Sequence, residues 1–354
     1  MIFLLCDDRV ARLRVTRTNS LQTSWAINEM NPNKTKDFDL RQAYSVVYQR
    51  SPLRHETVNA LIPRMSKALL FLLLLIPAIL PAQDRTVDAT WLHRYLPSLN
   101  ETKADLSSAT CHYKPIFGAG DKDNRILRSV SRFAEVTVEA HGNCQSVLYE
   151  HEEEIDIVLQ GTGNLQYGDQ TLPLRTNDFT YLAPGVKHGF ANNSSQSLRV
   201  LVMGFKIPSR LALGATSHQP RIVNLDDVKE ETVQGHPTSV LYKLLVGPRN
   251  GKRDAIDEAS VVTSFFWMNF APGGTNFPHH HETAEEIYLV VGGEGEMAAG
   301  SGMDGLEGRF PAKAGDAYYF RPNCTVGFYN QNKPGSNAYI LAVRSRIPLS
   351  ETED

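Results

Sequence analysis

The stretch FPHHHETAEEIYLVVGGEG, residues 277 to 295, sets three consecutive histidines before a pair of glutamates and an apolar run. His279 and His281 are two residues apart, so on an extended strand both point to one face and His280 points to the other. A turn over Glu282 to Glu285 would reverse the chain and bring Glu286, at the head of the apolar run, beside them. Two imidazoles and one carboxylate would then converge, a ligand set suited to Mn, Fe(II), Ni, Zn or Cu that does not by itself select one. A solvated run of surface histidines is the competing reading, and the position between two strand-like segments argues against it. Tyr288 shares strand parity with Glu286, which would bring a phenol near the metal to position or protonate a bound substrate.

Such residues converge only if strands hold them. Beyond residue 130 the chain consists of short apolar runs separated by Gly, Pro, Asn and Asp, among them RFAEVTVEA, EEIDIVLQG, DFTYLAPG and LRVLVMGFKI. This spacing predicts an all-β chain of antiparallel strands in a sandwich or barrel. VDATWLHRYLPSL, near residue 90, reads as a short helix. The second half repeats the first without gaps across two blocks, 149 to 163 against 281 to 295 and 177 to 192 against 315 to 330. Glu154 falls opposite Glu286, Asp178 opposite Asp316, and Asn192 opposite Asn330, so two copies of one β fold are expected.

Here the residues resemble the cupin superfamily. Its first motif, G-x5-H-x-H-x(3,4)-E-x6-G, is met by Gly273, His279, His281, Glu286 and Gly293. The second, G-x5-P-x-G-x-x-H-x3-N, is met only at Gly315 and Asn330, with Arg321, Asn323 and Val326 replacing the proline, glycine and histidine. The first copy keeps Glu154, Gly161, Gly185, His188 and Asn192, but Val147 and Tyr149 stand in place of the two histidines. The resemblance implies two tandem jelly-roll barrels, a bicupin, with one divalent metal (Mn, Fe, Zn or Ni) on His279, His281 and Glu286. Cys324 would replace the lost histidine only if the backbone shifts. In the first copy, His188 and Glu154 would remain as a buried pair without metal, and His151, Glu152 and Glu153 would form a solvated turn. Phe277, Tyr318, Phe320, Phe328, Arg321 and Asn276 join Tyr288 as candidates to line the metal pocket.

The resemblance covers enzymes and binding proteins alike. It implies either an oxygenase, decarboxylase or hydrolase acting on a small polar metabolite, or a non-catalytic small-molecule or sugar-binding barrel with a decayed metal site. Across 354 residues with a formal net charge of -3 there is no block of like charge, so no nucleic-acid partner is expected, and both a monomer and a homo-oligomer fit. Four cysteines without a C-x-x-C pair exclude a thiolate zinc site and leave a Cys111 to Cys144 bridge open. Arg64 and Lys67 precede an apolar run from Ala68 to Leu80, too short for a membrane span of roughly 20 residues and suited to a signal peptide. A buried helix or a single anchor is the alternative. These features divide the chain into an N-terminal extension outside the fold (1–64), a signal peptide (65–83), an arm (84–110), a first cupin domain with a degenerate site (111–215) and a second that binds metal (216–354). A secreted or periplasmic protein with no stable membrane span in its mature chain is expected.

Overall fold

The computed structural model describes residues 11–15, 25–29, 88–209, 211, 219–300 and 307–347. The segment expected to be a signal peptide lies outside these residues, and among the described ones no helix is long and apolar enough to cross a membrane. The chain divides into two units, Met1–Gln83 and Asp84–Asp354. In the first, β1 (Ala11–Val15) pairs antiparallel with β2 (Trp25–Glu29).

The second unit opens with β3 (Trp91–Tyr95), where a helix was expected. Trp91 and Tyr95 favour the extended state, and a free sheet edge at residues 316 to 320 supplies the hydrogen-bond partner that decides it. Then come β4 (Cys111–Gly118), β5 (Val130–Val138), β6 (Glu152–Gln160), β7 (Thr162–Tyr167), β8 (Gln170–Arg175), β9 (Asp178–Leu182), β10 (His188–Ala191), β11 (Leu198–Lys206) and β12 (Ile222–Asn224). They form a six-stranded sheet, β12-β9-β6-β11-β5-β4, and a three-stranded sheet, β10-β7-β8. The copy follows as β13 (Val240–Pro248), β14 (Ile256–Ala259), β15 (Val262–Phe270), β16 (Ala284–Gly292), β17 (Glu294–Ala299), β18 (Gly308–Lys313), β19 (Asp316–Phe320), β20 (Val326–Asn330) and β21 (Ala338–Arg346). Its sheets run β14-β13-β15-β21-β16-β19-β3 and β18-β17-β20. Two jelly-roll barrels result.

The edges of the large sheets are exchanged. β3, which precedes the first barrel, pairs with β19 of the second, and β12, which leads into the second barrel, pairs with β9 of the first. Each barrel closes its large sheet with a strand that lies in sequence before the other.

Three hydrophobic cores follow from the alternation of side chains along these strands. Val158, Leu165, Phe190 and Val200 fill the first barrel, while Val290, Met297, Phe328 and Ile340 fill the second. The third core lies between the large sheets and joins Phe133, Ile155, Phe179 and Met203 to Phe265, Ile287, Tyr319 and Val343. Because both faces of these sheets are covered, β9 and β19 are buried at every position.

Glu153 and Glu285 share the parity of Ile155 and Ile287, so both face this joint. Glu153 is fully buried and accepts the backbone N–H groups of Ser260 (2.6 Å), Val261 (2.9 Å) and Val262 (2.8 Å), plus the Tyr181 hydroxyl at 3.1 Å. Glu285 reciprocates, accepting from Arg128 N (2.7 Å), Ser129 N (2.8 Å) and Val130 N (3.2 Å), and from the Tyr319 hydroxyl. A solvated turn at Glu152 and Glu153 was expected, but β6 already begins at Glu152. The backbone donors at the other barrel's strand entry meet the hydrogen-bonding need of a buried carboxylate.

Candidate metal centre

His279 is held in the second barrel by an antiparallel bridge to Val326, N–H to carbonyl at 2.9 and 2.8 Å in the two directions. Its ring Nδ1 lies 2.8 Å from the Phe277 carbonyl, which leaves Nε2 to face inward. The His281 carbonyl accepts the Asn323 N–H at 2.8 Å. Glu286 enters from β16, where it pairs with Phe320 on one side and Arg344 on the other. One ligand atom from each of His279, His281 and Glu286 lies within 4.8 Å of the others.

The donor set fits a divalent metal. Glu286 Oε2 is buried, lies 3.1 Å from His281 Nε2 and accepts no hydrogen bond, an orphaned anionic oxygen that a cation would satisfy. Burial alone would raise the Glu286 carboxyl; His281, Arg344 and His279 outweigh it and hold the group below its ordinary range, in the charged form a ligand needs.

Two other expectations for the fourth ligand are resolved. Val326 is buried in the barrel core, where the family's histidine would stand. Cys324 is buried beside it and donates to the Gly300 carbonyl, and it is not among the grouped ligands.

A cavity of about 50 Å³ opens beside His279 and Glu286. Tyr288 and Asn276 line it as expected. Asn276 Nδ2 donates to the Tyr288 hydroxyl at 2.9 Å while its Oδ1 accepts the Phe328 N–H at 2.8 Å, so the phenol is fixed and its own proton is free to be offered inward. Burial, then Glu286 and Tyr242, push the Tyr288 phenol well above its ordinary range. It can donate a hydrogen bond but cannot act as a base near neutrality.

The remaining pocket candidates are placed elsewhere. Phe277 is 57% exposed with φ of +52°, turned out by a backbone that presents its carbonyl to His279. Tyr318, Phe320 and Phe328 pack in the barrel core, and Arg321 does not line the cavity.

Sequence reasoning missed five polar residues of the cavity wall: His236, Tyr242, Arg253, Ser264 and Arg344. His236 comes from the segment leading into β13 and lies edge-on to His279, ring centroids 5.6 Å apart, with a buried Nδ1 that has no hydrogen-bond partner. Burial and then His279 lower its pKa, favouring the neutral ring. Arg344 NH1 lies 3.1 and 3.0 Å from the two ring nitrogens of His281, and its Nε is 3.3 Å from Thr263 Oγ1. The parity of β21 was the signal for Arg344; nothing in the local pattern pointed to His236.

The corresponding place in the first barrel is filled from within. Arg132, only 5% exposed, donates to Glu152 at 2.9 Å, lies 3.7 Å from Glu154 and stacks 3.7 Å above the ring of Tyr149. His188 and Glu154 form the expected buried pair at 3.4 Å. Asp156, opposite Tyr288 in the repeat, is buried beside Glu154; burial and that neighbour raise its carboxyl well above the ordinary range.

The cupin domain model matches the sequence twice, over residues 134–204 and 266–340. With the two jelly-roll barrels, this places the chain in the cupin superfamily as a bicupin. No curated protein matches it in sequence. Solved structures share the fold at low identity. A protein from Pseudomonas aeruginosa superposes with a TM-score of 0.60 at 14% identity, covering 76% of this chain and 95% of its own. Ylba from E. coli gives 0.55 at 13%, covering 76% and 97%. The oxalate decarboxylase of Lactobacillus farciminis, in a formate complex, gives 0.54 at 11%, covering 75% and 88%.

Proposed function

We propose that this bicupin is exported and uses one divalent metal in its second barrel for chemistry on a small polar metabolite. The observation that carries the reading is the convergence of His279, His281 and Glu286 to within 4.8 Å, two of them, His279 and Glu286, on the wall of a small cavity. His279 and His281 would hold the metal through ring nitrogens and Glu286 through its orphaned oxygen. When bound, the metal would supply Lewis acidity or a redox centre, with positions left open for substrate.

The chain's own residues complete the site. Tyr288, fixed by Asn276, holds a proton at its hydroxyl and offers it to a bound ligand. Val233, Leu244, Phe266 and Met268 form the apolar part of the wall and limit water. Export is supported by the Cys111–Cys144 disulfide, since such bonds persist in oxidising compartments.

Metal content of the chain purified without a histidine tag, measured by elemental mass spectrometry, tests the reading. About one equivalent is expected, lost in the His279→Ala/His281→Ala variant. No metal in either protein after reconstitution would leave a barrel that binds small molecules or serves structure alone.

A further inference from the structure

We propose that His236, carried by the segment that links the two barrels, supplies a fourth protein ligand to the metal of the second barrel, an inference that rests on the metal reading of that site. His236 lies outside both sequence motifs of the family. The position where the second motif would place a histidine is Val326, buried among apolar side chains.

Ring geometry leads to it. His279 and His281, which share the ligand group with Glu286, have ring centroids 5.0 Å apart and planes at 80°. His236 stands to His279 in nearly the same relation, 5.6 Å and 80°, and lines the same cavity. Imidazole nitrogens held at roughly 2.1 Å by one ion place their ring centroids about 5 Å apart, which suits both pairs. His236 is outside the group whose ligand atoms lie within 4.8 Å of one another, and the turn that carries it has room to shift. Gly235, next to it, has φ of +86° and nothing within 4 Å of the place where a Cβ would stand.

Unsatisfied groups point the same way. Among the described residues lining the cavity, three polar atoms are buried without a hydrogen-bond partner: Glu286 Oε2, His236 Nδ1 and the Tyr242 hydroxyl. A buried imidazole nitrogen without a partner is costly, and a cation shared with the orphaned carboxylate oxygen satisfies both.

The first barrel provides an independent comparison. The segment ahead of β4 takes the course of the one ahead of β13: Thr102 bridges Tyr113 as Glu231 bridges Tyr242. The Ser107 N–H donates to the Ala104 carbonyl at 3.1 Å, and the His236 N–H donates to that of Val233, also at 3.1 Å. Ser107 therefore occupies the place of His236, and its hydroxyl is spent on its own turn, accepting the Ala104 N–H at 3.0 Å. The barrel filled by Arg132 has a self-capped serine here, and the barrel with the His-His-Glu group has a histidine on its cavity wall. The shared turn does not need an imidazole, so what the ring faces accounts for it. Because β12, at the head of this linker, belongs to the sheet of the first barrel, an ion held by His236 ties the two barrels together.

X-ray absorption of the zinc-loaded chain, purified without a histidine tag, tests the proposal by counting imidazoles around the ion. Three are expected in the wild type and in His280→Ala, and two in His236→Ala. Competition with a chromophoric chelator should show zinc held more weakly in His236→Ala and His236→Gln, by at least the roughly tenfold to hundredfold that loss of even an outer partner brings. The turn is exposed around Gln234 and Gly235, so metal-free melting temperatures of both variants should match wild type. Two imidazoles in the wild type, a third that is lost in His280→Ala instead, or a folded His236→Gln variant with unaltered zinc affinity would each overturn the proposal. A wild-type chain that takes up no metal would instead overturn the metal reading.

Discussion

The two barrels share a backbone and a buried glutamate, yet they answer the demand of that glutamate in opposite ways. In the first, Glu154 has its cations built in: Arg132 lies 3.7 Å away and His188 3.4 Å away. In the second, Glu286 has Arg344 across the strand pair and, unlike Glu154, two imidazoles close enough to share one cation with it. Conversion between the two states is local. Tyr149 stands where the second barrel has His281 and supplies the ring on which Arg132 stacks, and Gly204 makes the room: a Cβ there would lie 2.9 Å from Arg132 Cγ. A His-His-Glu cluster that could hold a metal and an internal ion-pair cluster are therefore alternative fillings of one cupin interior.

The sharpest way to break this comparison is to neutralise each glutamate. Glu286→Gln is expected to abolish metal uptake, and Glu154→Gln to leave the bound equivalent in place; equal loss from both would show that the first barrel also holds metal. Next, Arg132→Ala should destabilise the chain by about 3–5 kcal/mol, because it strands buried carboxylates, while Arg344→Ala should cost about 1 kcal/mol or less. Urea unfolding midpoints measure the difference. The disulfide ranks below this. Its cysteines correspond in the repeat to Val240 and Asn276, so it staples only the first barrel, and Cys111→Ser/Cys144→Ser should cost about 2–4 kcal/mol with metal stoichiometry unaltered.

The smallest effect concerns Asp156. Its folded-state pKa lies above its unfolded value, so both states are protonated at low pH and nothing is lost there. As pH rises past the unfolded value the unfolded chain ionises while the folded one retains the proton, and stability falls. Asp156→Asn should thus match wild type in melting temperature near pH 4 and exceed it by a few degrees at pH 8. An advantage that does not grow with pH would show that Asp156 is ionised in the folded protein.

Much of this was legible in the sequence, for physical reasons that can be named. Period-2 alternation placed Glu154 and Glu286 on the inner faces, and the two-residue spacing of His279 and His281 put both rings on one side. The same alternation assigns Glu153 and Glu285 to the opposite face, but a charged residue at a strand start reads as solvated until a second barrel covers it. Trp91–Tyr95 formed a strand because of an edge more than two hundred residues away, which no local propensity reports. Phe277 had the composition of a pocket residue, and a left-handed backbone turned it outward. His236 entered the site from a connecting segment with no periodic pattern at all.

The exchanged edge strands make time part of the fold. The first barrel's large sheet is complete soon after its own last long strand has been synthesised, because β12 follows it directly. β3, by contrast, is among the first strands of its unit to be made, and its partner β19 comes almost last. For most of synthesis that apolar, tryptophan-bearing edge has nothing to pair with, and its contact is the most distant in sequence and so the slowest to form. A chain truncated before residue 316 would therefore leave β3 as an unsatisfied strand open to another molecule.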